Sequence, residues 1–314
     1  MTRTAVCICT FRRPAALAMT LRSLARQILV SMSPEDVTVI VVDNDPARSA
    51  FEACSGTGCV GPFALRYIHE PQRGLSNARN AALNAAAATG ARFVAFIDDD
   101  EMADQVWLEN LHSRLKESGA DAAIGPVLPV FAKVPPAYLV EGGFFATRLP
   151  CPNGFVQDGY SGNALLDCAS EITRGLRFDP RWNETGGEDT LFFKALIKRG
   201  GRVAWAQHAT VWESIPRNRA NLRWLARRWY RTGIIEAQLG AHDSTSWRGR
   251  ARSFGKGTAR LGAGMLLIVG AAFSRTPSRR SAMVGRLYTL ARGAGLLASA
   301  LGHNYREYAN SRYR

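Results

Sequence analysis

Acidic residues almost vanish from the last third of this chain. Residues 214–314 carry 19 Lys+Arg and only 3 Asp+Glu, against 21 and 23 in residues 1–213, so the formal charge of +14 comes from the C-terminal stretch. A long apolar run is missing as well. The best candidate, LGAGMLLIVGAAF at 261–273, has 13 residues, where a bilayer span needs about 20. Cysteines are few, six in 314 residues and without framework spacing, which excludes a disulfide-stapled scaffold and fits a reducing compartment. Cys54 and Cys59 share a Gly-containing loop but lack a second ligand pair, too little for zinc. The opening MTRTAVCICTF enters a β-like run at once and has no stretch resembling a secretory signal, so a cytoplasmic location is expected. At 46% hydrophobic residues, wholesale disorder is excluded too.

What is present is an alternation of strand and helix. AVCIC (5–9) is an apolar run, with Cys7 and Cys9 on one face. After Pro14 come Leu17, Leu21 and Leu24 at helical spacing. VTVIVV (37–42) needs burial on both faces, as in a parallel sheet. FALRYI (63–68) reads as a strand, and SNARNAALNAAAA (76–88) as an Ala-rich helix with Ser76 as its cap. A strand at 92–97, a helix at 107–115 and a strand at 121–125 follow. Repeated β–α units of this length predict an open, mostly parallel α/β sheet with flanking helices. The stretch 126–213 is less regular, broken by proline and glycine until a helix at 188–200 and a strand at 202–206. It reads as a substrate-facing region continuous with the first part, not as a separate domain.

Ligands of open α/β sheets sit outside the carboxyl ends of the strands. Three strands here end in polar residues: Thr10, then DND (43–45), then DDDE (98–101). Four consecutive carboxylates need open solvent or a cation to offset their repulsion. Asp98 and Asp100, one residue apart at a strand end, suit a hard divalent cation, which takes oxygen ligands and often shares them with a diphosphate. A solvated acidic loop is the plain alternative. Farther on, Gly186 and Gly187 allow a sharp backbone bend before Glu188 and Asp189 open a helix. Such acids either complement the helix dipole or do proton chemistry.

Five segments in this order, CICTFRRP (7–14), VIVVDND (39–45), GLSNARNAAL (74–83), FIDDDE (96–101) and GGEDTLFF (186–193), resemble the inverting family-2 glycosyltransferases of the GT-A fold. CICTFRRP and ESIPRNRANLRWLARRWYR are similar, more narrowly, to bacterial exopolysaccharide glucosyltransferases of the succinoglycan kind. The resemblance implies a GT-A nucleotide-sugar domain over residues 1–213, with a nucleotide-binding half at about 1–125 and an acceptor-facing half at about 126–213. It implies a metal-dependent, inverting transfer of a hexose, glucose by the narrower likeness, from a UDP-sugar. It implies nucleotide-sugar contacts from Thr10, Phe11, Arg12, Asp43, Asn44, Gly74, Arg79, Asn80, Asp98 and Asp99. Asn44 stands where many relatives have a second Asp. Asp98 and Asp100 would hold Mg²⁺ or Mn²⁺, with Glu213 or His208 as a further ligand, and Asp189 would be the general base beside Glu188. ANLRW (220–224) has Ala220 where processive synthases have Gln, so one sugar per encounter is expected.

Residues 214–314 read as a basic, amphipathic helical appendage. RANLRWLARRWYRTGIIEAQL (219–239) aligns Leu222, Leu225 and Trp229 along one side. Two apolar helices joined by RTPSRR suit either a packed hairpin or insertion at an anionic membrane surface. The expectation is a peripheral protein on the inner face of the plasma membrane, acting on a lipid-linked glycan acceptor. A protein or soluble glycan acceptor is the alternative. Nucleic acid would suit Arg-rich helices with Trp and Tyr, but it leaves the acidic strand ends unexplained and is set aside as a partner.

Overall fold

The computed structural model describes residues 3–55, 58–240, 247–272 and 279–303. Most of the RTPSRR turn lies outside them. The elements in order are β1 (Thr4–Thr10), α1 (Pro14–Leu24), β2 (Val37–Asp43), α2 (Phe51–Cys54), β3 (Cys59–Val60), β4 (Phe63–His69), α3 (Leu75–Ala88), β5 (Phe93–Ile97), β6 (Glu101–Ala103), α4 (Trp107–Ser118), β7 (Ala122–Ile124), β8 (Val127–Phe131), α5 (Ala137–Glu141), β9 (Phe155–Val156), β10 (Asn163–Asp167), α6 (Glu188–Lys198), β11 (Val203–Trp205), β12 (Val211–Ile215), α7 (Leu222–Gly240), α8 (Trp247–Ala272) and α9 (Arg279–Ala300).

Nine strands form one sheet in the order β3-β4-β2-β1-β5-β10-β7-β11-β9. Its left half, β4-β2-β1-β5, is parallel, and β1 is in register with Cys7 opposite Phe96 and Thr10 opposite Asp43. The strands are buried on both faces because their side chains alternate between two cores. Val6, Ile8, Val39, Val41 and Ile97 pack with Leu17, Leu21 and Leu24 of α1 and Trp107, Leu108 and Leu111 of α4. Ala5, Cys7, Ile40, Val42 and Phe96 pack on the other face with Ala78, Ala82 and Ala86 of α3 and Phe192 and Phe193 of α6, and Cys9 joins them. An Ala row at i, i+4, i+8 lets α3 lie close to the sheet.

The sequence does not foretell β3, β6, β8, β9, β10 or β12, and β10 matters most to the sheet. β10 runs antiparallel between β5 and β7, within a stretch that reads as a glycine-broken loop. Asn163 fixes it there. Its side chain is fully buried, accepts from Trp107 Nε1 at 2.8 Å and donates to the Pro126 and Ala209 carbonyls at 3.0 and 2.7 Å. Ser76 is not the cap of α3. The helix begins after Gly74, and the Ser76 hydroxyl donates instead to the Asp179 carbonyl at 2.8 Å. Asn183 Oδ1 serves the helix start, accepting from the Ser76 amide at 2.9 Å.

The chain divides into two compact units, residues 1–130 with 146–214, and residues 131–145 with 215–314. The second is helical around a core of Leu139, Phe145, Ile215, Leu225, Trp229 and Val284, with Leu222 packed against it. Its long helices approach through glycines. A Cβ on Gly233 would meet the Arg292 carbonyl oxygen at 2.2 Å, and one on Gly264 would meet Leu290 Cδ2 at 2.6 Å. Glu236 of α7 ties the three helices together, accepting from Arg260 of α8 and Arg292 of α9 at 2.6 Å each.

Candidate active site

The carboxyl ends of β1, β2 and β5 and the start of α6 carry the polar residues of the first unit. β1 ends at Thr10, and Arg12 turns the chain with a φ of 57°. Its Nε then donates to both Asp45 carboxylate oxygens at 3.2 Å. Pro14 opens α1, which leaves Arg13 facing back to the acidic turn. Arg13 Nη1 donates to Asp99 Oδ1 at 3.1 Å and to Asp100 Oδ2 at 2.9 Å. The Thr10 hydroxyl donates to the other Asp99 oxygen at 2.7 Å. An internal guanidinium therefore supplies part of the cation that DDDE demands. Arg13 lies inside the CICTFRRP segment but had no role in the sequence reading; the Pro that starts the next helix was the available signal.

Crowding of like charges shows in the titration of these groups. Burial pushes the Asp99 carboxyl up to about 7 against the pull of Arg13, with Asp100 adding repulsion. Asp98 is likewise raised by burial and by Asp100 and Asp189, against the attraction of Arg79. Glu101 sits well above the carboxylate range through burial and the charges of Asp98, Glu213 and Asp100. Its Oε2 accepts the Asp98 amide at 3.0 Å. Gly162, just before β10, closes this turn: a Cβ there would lie 3.0 Å from both Asp98 Oδ2 and Glu101 Oε1.

Glu213 and His208 separate clearly. The ladder between β6 and β12 pairs Glu213 with Glu101 and Val211 with Ala103. The Ser214 amide bonds the Asp100 carbonyl. Glu213 thus lies at the acidic end. His208 is exposed beyond the opposite end, where its carbonyl accepts from Asn110 of α4 at 2.9 Å. Among the described residues, no three His, Cys, Asp or Glu side chains are gathered as a ready metal site. The donor set itself, oxygen only with mutually repelling carboxylates, fits a hard divalent ion that draws its remaining ligands from a phosphate-bearing molecule.

Other expected nucleotide-sugar residues turn inward. Asp43 is fully buried and accepts from the Asp45 and Ala50 amides at 3.0 and 2.7 Å and from the Tyr67 hydroxyl at 3.0 Å. Asn44 donates to the Glu70 and Gln72 carbonyls at 2.8 Å each and accepts the Gly74 amide at 2.7 Å. Both are committed to protein partners and shape the loop that follows β4. Asn80 is bonded to Phe178 through its amide and carbonyl, at 2.9 and 2.8 Å, and lines a cleft of about 490 Å³ with Glu70, Gln72 and Asn77. Gly74 has a φ of +141°, and a Cβ there would collide with Asn183 Cγ at 2.2 Å, so only glycine fits. Phe11 lies under the guanidinium groups of Arg12 and Arg73, 5.0 and 4.9 Å from its ring centre.

Arg79 is buried rather than solvent-exposed. It pairs with Glu188, lies 3.6 Å from Asp98 and feels the charge of Asp189. Gly187, at a φ of 94°, turns the chain into α6 and places Glu188 and Asp189 in its first turn. Glu188 is buried and, among the described residues, its second oxygen has no hydrogen-bond partner, whereas Asp189 is half-buried. Arg79 thus joins the acidic turn after β5 to the acidic start of α6.

The family model for glycosyl transferase family 2 matches residues 5–172. Succinoglycan biosynthesis protein ExoM of Rhizobium meliloti is 38% identical over 241 residues, covering 77% of this chain and 76% of that protein. The chain belongs to glycosyl transferase family 2. A shorter likeness, 28% over 97 residues, links 31% of this family-2 chain to 13% of glycosyltransferase GlyA of Streptococcus pneumoniae. Among solved structures, S. aureus TarS 1–349 in complex with UDP-GlcNAc aligns with a TM-score of 0.50 at 16% identity, over 97% of this chain and 93% of that one. That likeness supports the GT-A fold expected of a family-2 glycosyltransferase.

Proposed function

We propose that this glycosyltransferase moves a hexose, glucose in the first instance, from a UDP-sugar to a lipid-linked saccharide with inversion, in the synthesis of an exopolysaccharide or other cell-surface glycan. The observation that carries the reading is the charge relay of positions around Arg79: the acidic turn at Asp98 and the acidic helix start at Asp189 share one buried cation. A donor's diphosphate and an acceptor's hydroxyl need such groups within one site. Asp189 serves as the base, taking the proton from the acceptor oxygen as it attacks the anomeric carbon. Glu188 and Arg79 hold the start of α6 against the acidic turn. Thr10, Phe11 and Arg12 meet the nucleotide beside the loop that Asp43, Asn44, Gly74 and Asn80 shape.

Asp98 and Asp100, with Glu213 beside them, would hold Mg²⁺ or Mn²⁺. Such an ion offsets charge on the departing diphosphate without proton transfer. The name of ExoM, a succinoglycan biosynthesis protein, supports the polysaccharide setting. TarS crystallised with UDP-GlcNAc makes UDP-sugars the donor class to test.

The test is UDP release and sugar transfer across UDP-glucose, UDP-galactose, UDP-N-acetylglucosamine and GDP-mannose, with Mg²⁺ or Mn²⁺. Asp189→Asn should lower kcat by roughly 10²–10⁴-fold while UDP binding persists. Unchanged turnover in that variant would remove Asp189 from the chemistry, and a product retaining the donor's anomeric configuration would refute inversion.

A further inference from the structure

Among the described residues, no helix is long and apolar enough to cross a membrane, yet α8 leaves an apolar face without a protein partner. Trp247, Phe254 and Met265 are 74%, 48% and 59% exposed, and Leu266 beside them is 75% exposed. Seven residues make nearly two helical turns and eighteen make five, so Trp247, Phe254 and Met265 fall on one line, about 27 Å long. Ala251, Thr258 and Gly262 fill that line, and no charge interrupts it.

The cations of α8 are sorted around this stripe. The helix has five Lys+Arg and no Asp or Glu. Arg260 is turned inward to Glu236 and Arg250 is bonded to the Ala300 carbonyl. Arg248 and Arg252 are exposed along one flank of the stripe, a little over a quarter turn away by helical geometry, and Lys256 is exposed on the opposite side. α9, the other helix read as membrane-seeking from the sequence, instead packs within the unit: Gly293, Gly295 and Leu296 are buried and its Gly293 lies against the Gly257 carbonyl of α8.

We propose that α8 is an interfacial helix that lies flat on an anionic lipid surface, with Trp247, Phe254, Met265 and Leu266 in the headgroup and acyl boundary and Arg248 and Arg252 on lipid phosphates. An apolar stripe bordered by cations and free of acids is the chemistry that such a surface selects. The inference deepens the reading above, because a lipid-linked acceptor would be met at the same surface, but its test is independent of transfer.

The full chain is floated with vesicles of phosphatidylglycerol and phosphatidylcholine, and with phosphatidylcholine alone, in the absence of donor and acceptor. The wild type should bind the mixed vesicles. Arg248→Gln/Arg252→Gln should lower partitioning by on the order of thirtyfold, and Trp247→Ser/Phe254→Ser/Met265→Ser should abolish it, both with unchanged circular dichroism. Transfer to a water-soluble acceptor should be the same in all three proteins. No binding by the wild type, or binding that survives either variant, overturns the proposal. So does an oligomer that the serine variant dissociates, since the face would then join protein chains. Loss of transfer in every protein, with flotation intact, would instead count against the proposed reaction.

Discussion

Arg79 of α3 and Glu188 of α6, 109 positions apart in sequence, form a buried ion pair. The partners fare differently. Arg79 faces three carboxylates, Glu188, Asp98 and Asp189, and its charge is held more firmly than usual despite its burial. Glu188 is desolvated, has that one guanidinium beside it and is repelled by Asp189, so its carboxyl rises to about 6. The pair is thus a joint between two acidic segments more than a source of stability.

Breaking the pair from one side should be costly. Arg79→Met leaves Glu188 buried without its cation and should destabilise by about 3–5 kcal/mol, read by urea unfolding. Arg79→Met/Glu188→Gln should recover much of that stability but not turnover, because the joint itself is gone. Equal midpoints for Arg79→Met and wild type would show that the pair carries no such weight.

The Glu188 shift sets a pH dependence of definite sign. Its folded value, about 6, lies above the ordinary 4.5, so the folded state binds the proton more tightly. The resulting contribution is present below about pH 4.5 and is lost as pH rises through 6. Relative to Glu188→Gln, the wild type should lose about 2 kcal/mol in all as pH rises from about 3.5 to about 7 and then level off. Thermal melts in overlapping buffers measure this. Turnover should move oppositely, falling below pH 6 as Glu188 loses the charge that holds Arg79.

Arg13 supplies positive charge to the turn where the proposed metal would sit, so removing it should sharpen the response to a divalent ion. Arg13→Gln should melt lower than wild type without divalent ions, because Asp99 and Asp100 lose their shared donor. Mn²⁺ should then raise its melting temperature by more than it raises that of wild type, since ligation favours the folded state. An equal response in both would mean that Arg13 does not compete at this turn.

Asn163→Leu strands the Trp107 indole N–H and the Ala209 carbonyl and leaves the Pro126 carbonyl with the Val211 amide alone. Each buried polar group left without a partner costs about 1–3 kcal/mol. The summed loss, several kcal/mol, should appear in chemical denaturation. Turnover should also fall, because β10 carries Gly162 against Asp98.

Much of the parallel half of the sheet was visible in the residues. Runs such as VTVIVV admit few structures other than a strand covered on both faces, and Leu17, Leu21 and Leu24 name their own helix side. β10 escaped because its five residues follow glycines and its antiparallel direction depends on neighbours 40 to 70 positions earlier. Asp43, Asn44 and Asn80 were legible as polar residues near strand and helix ends, but not as groups satisfied by the backbone. That depends on the Asp45 and Ala50 amides for Asp43, on carbonyls of the loop after β4 for Asn44, and on the Phe178 backbone for Asn80.

The residues alone determined where charge accumulates: acids at the strand ends, cations after position 214, and a β–α alternation that puts the first set on one rim. Local periodicity and side-chain chemistry suffice for that. Only the folded chain decided which charges meet. Arg13 settles on Asp99 and Asp100, Arg79 on Glu188, and Glu213 rather than His208 joins the acidic end. Those choices depend on register and on the packing of helices distant in sequence, and Coulomb energy acts through space, not along the chain.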